Sequence, residues 1–316
     1  MAGIFVFAEN EDFTRELLSA GRDLADKLGT RLVAFATSAG PAQEFIQCGA
    51  DEVLVLPPLT SDQPSEAYVP VLAEAAKSES PDIFLIGGTA RGKEIAARLS
   101  VKLETGLCSG CTSMSLEGGT LKMDRLVYGG AGIQTVECSS GVQMATIPPR
   151  TFEQVVPQAG RAGKITQLTT QPQSAVRVVG RSPKQRESVD ITEAKIVVCV
   201  GRGLEKPEDI SLIRELAAAV GGEVACSRPI AEELRWMPED LYLGISGKKI
   251  KPVLYIGVGV SGQVQHITGI RDSRVIFAIN RDENAPIFEA ADYGIVGDLY
   301  QVVPALIQEL KTALKA

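Results

Sequence analysis

Short apolar runs alternate with amphipathic, helix-like segments through the first hundred residues of this 316-residue chain, and this alternation constrains the fold more than any other feature. The predicted strands cover residues 4–8, 31–36, 52–56 and 83–87. The predicted helices cover residues 12–28, 42–48, 65–77 and 91–101. Strands that are separated by helices pair in parallel, because each helix returns the chain to the same edge of the sheet. The sequence therefore predicts a parallel, doubly wound sheet.

The pattern changes after this first series. Between residues 111 and 147, alternating apolar residues and glycine-rich turns predict antiparallel hairpins, with strands over 112–116, 121–128, 132–136 and 142–147. A polar stretch follows, and a second strand–helix series begins with the apolar run at 196–200. We therefore predict two α/β domains, residues 1–189 and residues 190–316.

Composition limits the classes of function. Hydrophobic residues make up 45% of the chain and charged residues 22%, and the apolar runs are too short for a membrane span. The formal net charge of -7 disfavours nucleic acid as a partner. The chain enters a strand at once, without a secretory signal, so we expect a cytoplasmic location.

Six cysteines are scattered along the chain, and several lie within apolar runs, so we expect them to be reduced core residues. Cys108 and Cys111 form a C-x-x-C pair, which is also found in redox sites and in zinc sites. The sequence offers no second such pair and no neighbouring histidine to complete four metal ligands, so no metal site is predicted.

A glycine-rich turn follows the predicted strand at 254–258. Gly257, Gly259 and Gly262 form a G-x-G-x-x-G pattern, in which glycines let backbone N–H groups approach a pyrophosphate. The same pattern also occurs as a plain connection between a strand and a helix. The only histidine of the chain, His266, lies just beyond this turn.

Polar residues end two earlier strands of the second series. Arg202 follows the run at 196–200, and Ser227 and Arg228 follow the run at 223–226. A guanidinium offers planar, paired donors that match phosphate oxygens, so both arginines are candidate ligands for a nucleotide. The alternatives are an ordinary surface arginine and a serine that caps a helix.

Three segments near the C-terminus resemble a known family. Residues 261–266 read SGQVQH, residues 278–288 read AINRDENAPIF, and residues 291–299 read ADYGIVGDL. In sequence, order and spacing they resemble the α subunit of electron-transfer flavoproteins. The N-terminal half resembles the family in its element order and in its opening, IFVFAE.

The resemblance implies an N-terminal, doubly wound, adenine-nucleotide-hydrolase-like parallel sheet with an antiparallel hairpin insertion, and a C-terminal Rossmann-like FAD-binding domain. It also implies a set of FAD-binding residues: Arg202, Ser227, Arg228, Gly244, Ile245, Ser246, Ser261, Gly262, Gln263, Val264, Gln265, His266, Asn280, Asp298 and Leu299. No catalytic residue is implied.

The resemblance assigns roles within this set. Ser227 would contact the flavin nucleotide, and Arg228 would lie beside the isoalloxazine ring, where positive charge favours reduced flavin. His266 would approach the C2 carbonyl of the ring, and we expect an imidazolium there, since its charge would stabilise an anionic semiquinone. Ser246 would place its hydroxyl near flavin N5, whereas Ile245 stands where the family commonly has glutamine. The typical flavin potential of the family therefore does not carry over directly.

Two further positions, Asn280 and Asp298, would face the adenosine part of FAD by the same resemblance. Asn280 ends a predicted strand and Asp298 precedes the last predicted helix. Asparagine and aspartate at such places also occur as simple caps.

The implied function is that of the α subunit of a heterodimeric electron-transfer flavoprotein with one FAD in residues 190–316. Single electrons would pass from an acyl-CoA dehydrogenase, or from NADH through the β subunit, to an acceptor such as a quinone-linked oxidoreductase. The β subunit would contact the N-terminal domain and hold AMP or, in electron-bifurcating members, a second FAD. Such a chain is an electron carrier and not an enzyme on its own.

Two other interpretations stay open. An NAD-dependent dehydrogenase would use the G-x-G-x-x-G pattern as a Rossmann dinucleotide site, with Asp272 or Asp282 as the acidic residue for the ribose. A nucleotide-sensing module would need no redox cofactor. The sequence has no recognisable catalytic pair of carboxylates, and an electron carrier needs none, because the cofactor does the redox chemistry.

Overall fold

The structure is a computed structural model that describes residues 3–139, 141–182 and 190–313. The chain divides into two compact units, Met1–Ser182 and Pro183–Ala316. The sequence places the boundary between residues 189 and 190 instead, and residues 183–189 lie outside the described part of the chain.

The first unit is built on a seven-stranded sheet. The strands of this unit are β1 (Ile4–Phe7), β2 (Leu32–Ala36), β3 (Glu52–Val55), β4 (Ile83–Gly87), β5 (Leu107–Ser109), β6 (Cys111–Glu117), β7 (Thr120–Val127), β8 (Gly132–Val136), β9 (Gln143–Ile147) and β10 (Lys164–Gln167). The large sheet has the order β10-β3-β2-β1-β4-β9-β5, and all its pairings are parallel. On one face, Phe5 packs edge-on against Phe35 and Phe84, with ring centroids 5.4 and 5.6 Å away.

Four helices cover this sheet: α1 (Glu11–Leu28), α2 (Ala42–Gln47), α3 (Val69–Glu79) and α4 (Ala90–Lys102). The sequence sets their ends. Asn10 caps α1 by accepting a hydrogen bond from the Phe13 N–H, and Gly29 ends it in the left-handed conformation, at φ 61°. Thr89 caps α4 in the same way, through the Gly92 N–H. Such caps satisfy backbone groups that a helix end otherwise leaves unpaired.

The hairpins β6–β7 and β7–β8 are antiparallel and form a separate three-stranded sheet, as predicted. The prediction was wrong for residues 142–147. There, β9 joins the parallel sheet between β4 and β5. Residues Met144 to Ile147 are almost completely buried, and a strand that is covered on both faces belongs in a parallel sheet, not in a half-exposed hairpin.

A second correction concerns the polar stretch after residue 157. It contains β10, which pairs with β3 at the edge of the parallel sheet. Three of its four residues are exposed. A polar edge strand of this kind lacks the apolar pattern by which strands are recognised in a sequence.

The second unit is built on a six-stranded sheet. Its strands are β11 (Ile196–Val200), β12 (Glu223–Ser227), β13 (Tyr242–Leu243), β14 (Leu254–Val258), β15 (Val275–Asn280) and β16 (Tyr293–Val296), in the order β13-β12-β11-β14-β15-β16. All these pairings are parallel. The helices are α5 (Ile210–Val220), α6 (Val264–Ile270), α7 (Ile287–Ala290) and α8 (Leu299–Ala313). The chain runs outward in one direction from β11 and in the other from β14, so the sheet has a topological switch point between these two strands.

All six cysteines are free thiols, and five of them are buried, whereas Cys138 is half-buried. Among the described residues, none of the helices is both long enough and apolar enough to cross a membrane.

Candidate functional site

A cavity of about 600 Å³ lies at the carboxyl ends of the strands in the second unit. Its lining comes from the residues that follow β11, β12, β13, β14 and β15, on both sides of the switch point. Ligands of open parallel sheets bind at this edge, and the volume falls within the range of small-molecule sites. The position therefore makes the cavity the candidate site.

Most of the residues that the sequence predicts for the cofactor site line this one cavity. They are Arg202, Ser227, Arg228, Gly244, Ile245, Ser246, Ser261, Gln263, Gln265, His266 and Asn280. These residues are far apart in the sequence, and the parallel sheet brings them together because it places all its strand ends at one edge.

Four predicted residues lie outside the lining. Gly262 packs against α7, where an added Cβ would lie 2.2 Å from a backbone nitrogen. Val264 is 66% exposed at the start of α6, and Leu299 is buried in the core. Asp298 caps α8, where its Oδ1 accepts a hydrogen bond from the Tyr300 N–H at 2.9 Å.

Ser227 is the last residue of β12, and it is 8% exposed. Its Oγ has no hydrogen-bond partner in the described structure, so it does not act as a helix cap. A buried hydroxyl without a partner costs free energy, and such groups are rare in folded proteins. A polar ligand atom in the cavity would satisfy this hydroxyl.

The two arginines of the lining carry exposed guanidinium groups. Arg228 pairs with Glu232 at 2.5 Å, and Arg202 lies 3.9 Å from Glu233. The carboxylate of Glu232 raises the pKa of Arg228 through a hydrogen bond and through its charge. Exposed ion pairs of this kind contribute little free energy, so an anionic ligand can compete for both guanidinium groups.

Two glycine-rich turns interlock beneath the cavity. The Gly203 N–H donates to the Gly259 carbonyl at 3.1 Å, and an added Cβ at Gly201 would lie 2.1 Å from that same oxygen. The side chain of Leu299 packs behind this contact, close to both Gly203 and Gly259. The glycines therefore permit the close approach of two turns, and this leaves a backbone surface beside the cavity.

Hydrogen bonds from the backbone and from one side chain hold the loop after β13. The Gly244 N–H donates to the Lys248 carbonyl at 3.1 Å, and the Ile245 N–H donates to the Gln265 carbonyl at 2.8 Å. The Tyr242 hydroxyl donates to the Ser246 carbonyl at 2.9 Å. The side chain of Ile245 is 47% exposed at the cavity, so an apolar group stands at the rim.

Asn280 at the end of β15 uses both ends of its amide. Its Nδ2 donates to the Val260 carbonyl at 2.8 Å, and its Oδ1 accepts from the Asp282 N–H at 3.0 Å. The side chain thus connects the turn after β14 to the turn after β15 while it lines the cavity.

His266 lines the cavity but is 8% exposed, and its Nε2 lies 2.8 Å from the Tyr255 hydroxyl. Burial lowers the pKa of His266 to about 4, although a hydrogen bond to the backbone of Leu243 acts in the opposite direction. The imidazole is therefore neutral near pH 7, whereas the sequence-based expectation is an imidazolium.

Sequence reasoning missed several residues of the site. Pro229, Tyr242, Leu243 and Val260 line the cavity, and they follow from the rule that strand ends form the site. Tyr255 was missed because it lies inside a buried strand. The signal that could have found it is a buried tyrosine hydroxyl, which needs a polar partner.

The fold and the cavity define an α/β protein with a candidate small-molecule site at the edge of a parallel sheet. Residues 4–172 match the family model "Electron transfer flavoprotein domain". Residues 190–271 match the model "Electron transfer flavoprotein FAD-binding domain". Protein FixB of Escherichia coli (strain K12) is 37% identical over 309 residues, which are 97% of each chain. Protein FixB of Shigella dysenteriae serotype 1 shows the same identity and coverage.

This chain belongs to the electron transfer flavoprotein family, as a subunit of the α type. The family prediction and the predicted two-domain α/β fold class are confirmed. The chain therefore has an electron-transfer role and is a carrier subunit, not a classical enzyme. The match to a FAD-binding domain supports flavin binding by the second unit.

Proposed function

We propose that this chain is the α subunit of a heterodimeric electron-transfer flavoprotein, which binds one FAD in the cavity of the second unit and transfers electrons singly. The observation that carries the proposal is the buried, unpartnered Ser227 hydroxyl in a cavity of about 600 Å³. A polar atom of a bound cofactor would satisfy this hydroxyl, and the cavity has room for a ligand.

The residues of the cavity fit FAD. Arg202 and Arg228 supply cationic groups for the phosphates or the ring, and the interlocked glycine turns expose backbone to the ligand. Ser227 and Ser246 supply hydroxyl groups. When bound, FAD supplies one-electron redox chemistry, and the chain supplies position and electrostatics.

Asp298 and Gly262 do not line the cavity, so in this proposal they do not contact the cofactor directly. Asp298 is occupied as the cap of α8, and Gly262 supports the turn through its contact with α7. They act on the cofactor through the loops that they stabilise.

The first unit contacts the β subunit in this proposal. Its small antiparallel sheet and the turn beside it expose two apolar side chains, because Tyr128 is 90% and Ile133 is 70% exposed. A β subunit that covered this small sheet would bury both side chains. The β subunit holds AMP or a second FAD, and the whole assembly works in the cytoplasm.

Electrons reach the FAD from an acyl-CoA dehydrogenase, or from NADH through the β subunit, and leave to a quinone-linked oxidoreductase. Simple transfer and electron bifurcation differ in the number of flavins. One FAD per heterodimer supports simple transfer, and two support bifurcation.

The experiment is co-purification of this chain with the β subunit, followed by a visible spectrum and a count of the released flavin. We expect a yellow heterodimer. A colourless, folded heterodimer would refute the proposal, and NAD binding by that protein would favour the dehydrogenase interpretation.

A matched pair of variants locates the site. Ser227→Ala removes a hydroxyl that has no partner in the protein, so we expect FAD affinity to fall by about tenfold without loss of stability. Ser211→Ala is the control, because Ser211 donates to the Glu208 carbonyl at the start of α5 and does not line the cavity. Equal FAD affinities of the two variants would place the cofactor elsewhere.

A further inference from the structure

Three polar side chains form a buried chain behind the cavity. The Tyr255 hydroxyl lies 2.8 Å from Nε2 of His266, and burial, together with the neighbouring thiol of Cys199, raises the pKa of Tyr255. Tyr255 and Cys199 are fully buried, and His266 is 8% exposed. Of the three, His266 alone reaches the cavity.

Strand pairing explains how the tyrosine reaches the histidine. Tyr255 lies near the start of β14, and Cys199 pairs with Gly257, two residues further along that strand. A Cβ at Gly257 would lie 3.1 Å from the Tyr255 hydroxyl. Because Gly257 has no side chain, the tyrosine ring extends over it toward the carboxyl edge of the sheet, where α6 presents His266.

The direction of the hydrogen bond follows from the two acceptors. The hydroxyl has one proton to donate, and a thiol sulfur is a weak acceptor, whereas an imidazole nitrogen is a strong one. Tyr255 therefore donates to Nε2 of His266. Nε2 then carries no proton, so the ring proton is on Nδ1, and the histidine also hydrogen-bonds to the backbone of Leu243.

We propose that Tyr255 is a positioning residue for the cofactor site, whose hydroxyl holds His266 as a neutral imidazole with its proton on Nδ1. The inference rests on the proposed function where it concerns flavin. His266 then offers the cofactor an oriented, uncharged ring, and the positive charge at the cavity comes from Arg202 and Arg228. Any change that frees Nε2 increases the affinity of the imidazole for a proton.

The single histidine makes this directly measurable. The full-length chain is prepared with ¹⁵N-labelled histidine and combined with an unlabelled β subunit, so that the NMR spectrum contains one pair of ring nitrogens. At pH 7 we expect a protonated Nδ1 and an unprotonated Nε2. A protonated Nε2, or a fully protonated ring, would overturn the inference without any variant.

Two substitutions test the cause. Tyr255→Phe removes only the hydroxyl, and we expect the proton affinity of His266 to rise by up to about tenfold, since one hydrogen bond to the neutral form is lost. Cys199→Ala is the matched control, because this substitution leaves the hydrogen bond between the Tyr255 hydroxyl and Nε2 of His266 in place. A histidine that titrates alike in wild type and Tyr255→Phe would refute the role of the hydroxyl.

The flavin supplies a second measurement. In the FAD-loaded heterodimer at pH 6, we expect the one-electron potential of Tyr255→Phe to be more positive by up to about 59 mV, which is a tenfold change for one electron. Cys199→Ala should leave the potential unchanged, and equal potentials in all three proteins would refute an action of Tyr255 on the cofactor. A heterodimer without flavin would refute the proposed function alone, because the NMR result still decides the state of His266.

Discussion

Acidification from pH 7 to pH 5 should destabilise the second unit, because His266 resists protonation while the protein is folded. Burial lowers the pKa of His266 to about 4, from about 6.5 in the unfolded chain. Between these values the unfolded chain binds a proton that the folded chain does not bind. The contribution of His266 to stability is therefore fully present above pH 6.5, and it is lost as the pH falls toward 4.

The size of the effect follows from the distance between the pH and the two pKa values. At pH 5 the unfolded histidine is almost fully protonated, and the folded histidine is about nine-tenths neutral. Since each pH unit in this window costs about 1.36 kcal/mol, the free energy of unfolding falls by about 2 kcal/mol between pH 7 and pH 5.

The assay is urea unfolding followed by tryptophan fluorescence. Trp236 is the only tryptophan of the chain and packs against the core of the second unit, so its fluorescence reports on that unit. Carboxylates also titrate toward pH 5, and for this reason the comparison is with His266→Gln. Both proteins have the same carboxylates, so the difference between their pH dependences isolates the histidine.

We expect wild type to lose about 2 kcal/mol more than His266→Gln between pH 7 and pH 5. The two proteins would lose equal amounts if His266 were exposed, with the same pKa in the folded and unfolded chains, and wild type would lose less than His266→Gln if the imidazole were already protonated at pH 7. Either result would refute the burial argument and the neutral imidazole.

Two further predictions concern packing and thiol chemistry. Gly262→Ala should lower the free energy of unfolding in urea by at least about 2 kcal/mol more than Gly221→Ala does. Both glycines have a positive φ, but only at Gly262 would an added Cβ meet backbone, 2.2 Å from the Ile287 nitrogen. Equal losses in the two variants would contradict the packing argument. Of the six cysteines, only the half-buried Cys138 should react rapidly with an aqueous thiol reagent, and a second fast thiol in a colorimetric titration would show that the core opens.

Where local signals are strong, the sequence predicts most strands of the fold and the strand ends that the structure brings together. Apolar runs with glycine or polar residues at their ends identify β11, β12 and β14, and parallel pairing then brings those ends together. The family resemblance assigned residues as far apart as Arg202 and Asn280 to one site, and both line the cavity because the parallel sheet brings their strand ends together.

Other features depend on long-range contacts that no local pattern contains. The short apolar run of β9 is compatible with a hairpin strand or with a buried parallel strand. Its pairing with β4 and β5 determines that it is a parallel strand. The charge of His266 likewise depends on its burial in the cavity wall and on its contact with Tyr255. The sequence shows the histidine but not its surroundings.

The place of β9 has a consequence for the order in which the first unit forms during synthesis. β5 leaves the ribosome before β9, yet its only partner in the large sheet is β9. β5 must therefore wait until the intervening hairpins β6, β7 and β8 have been made. Those hairpins pair locally and can form early, and they return the chain so that β9 can enter beside β4. The edge of the sheet beyond β4 thus stays unpaired until β9 has emerged, and β10, which completes the opposite edge, follows later still.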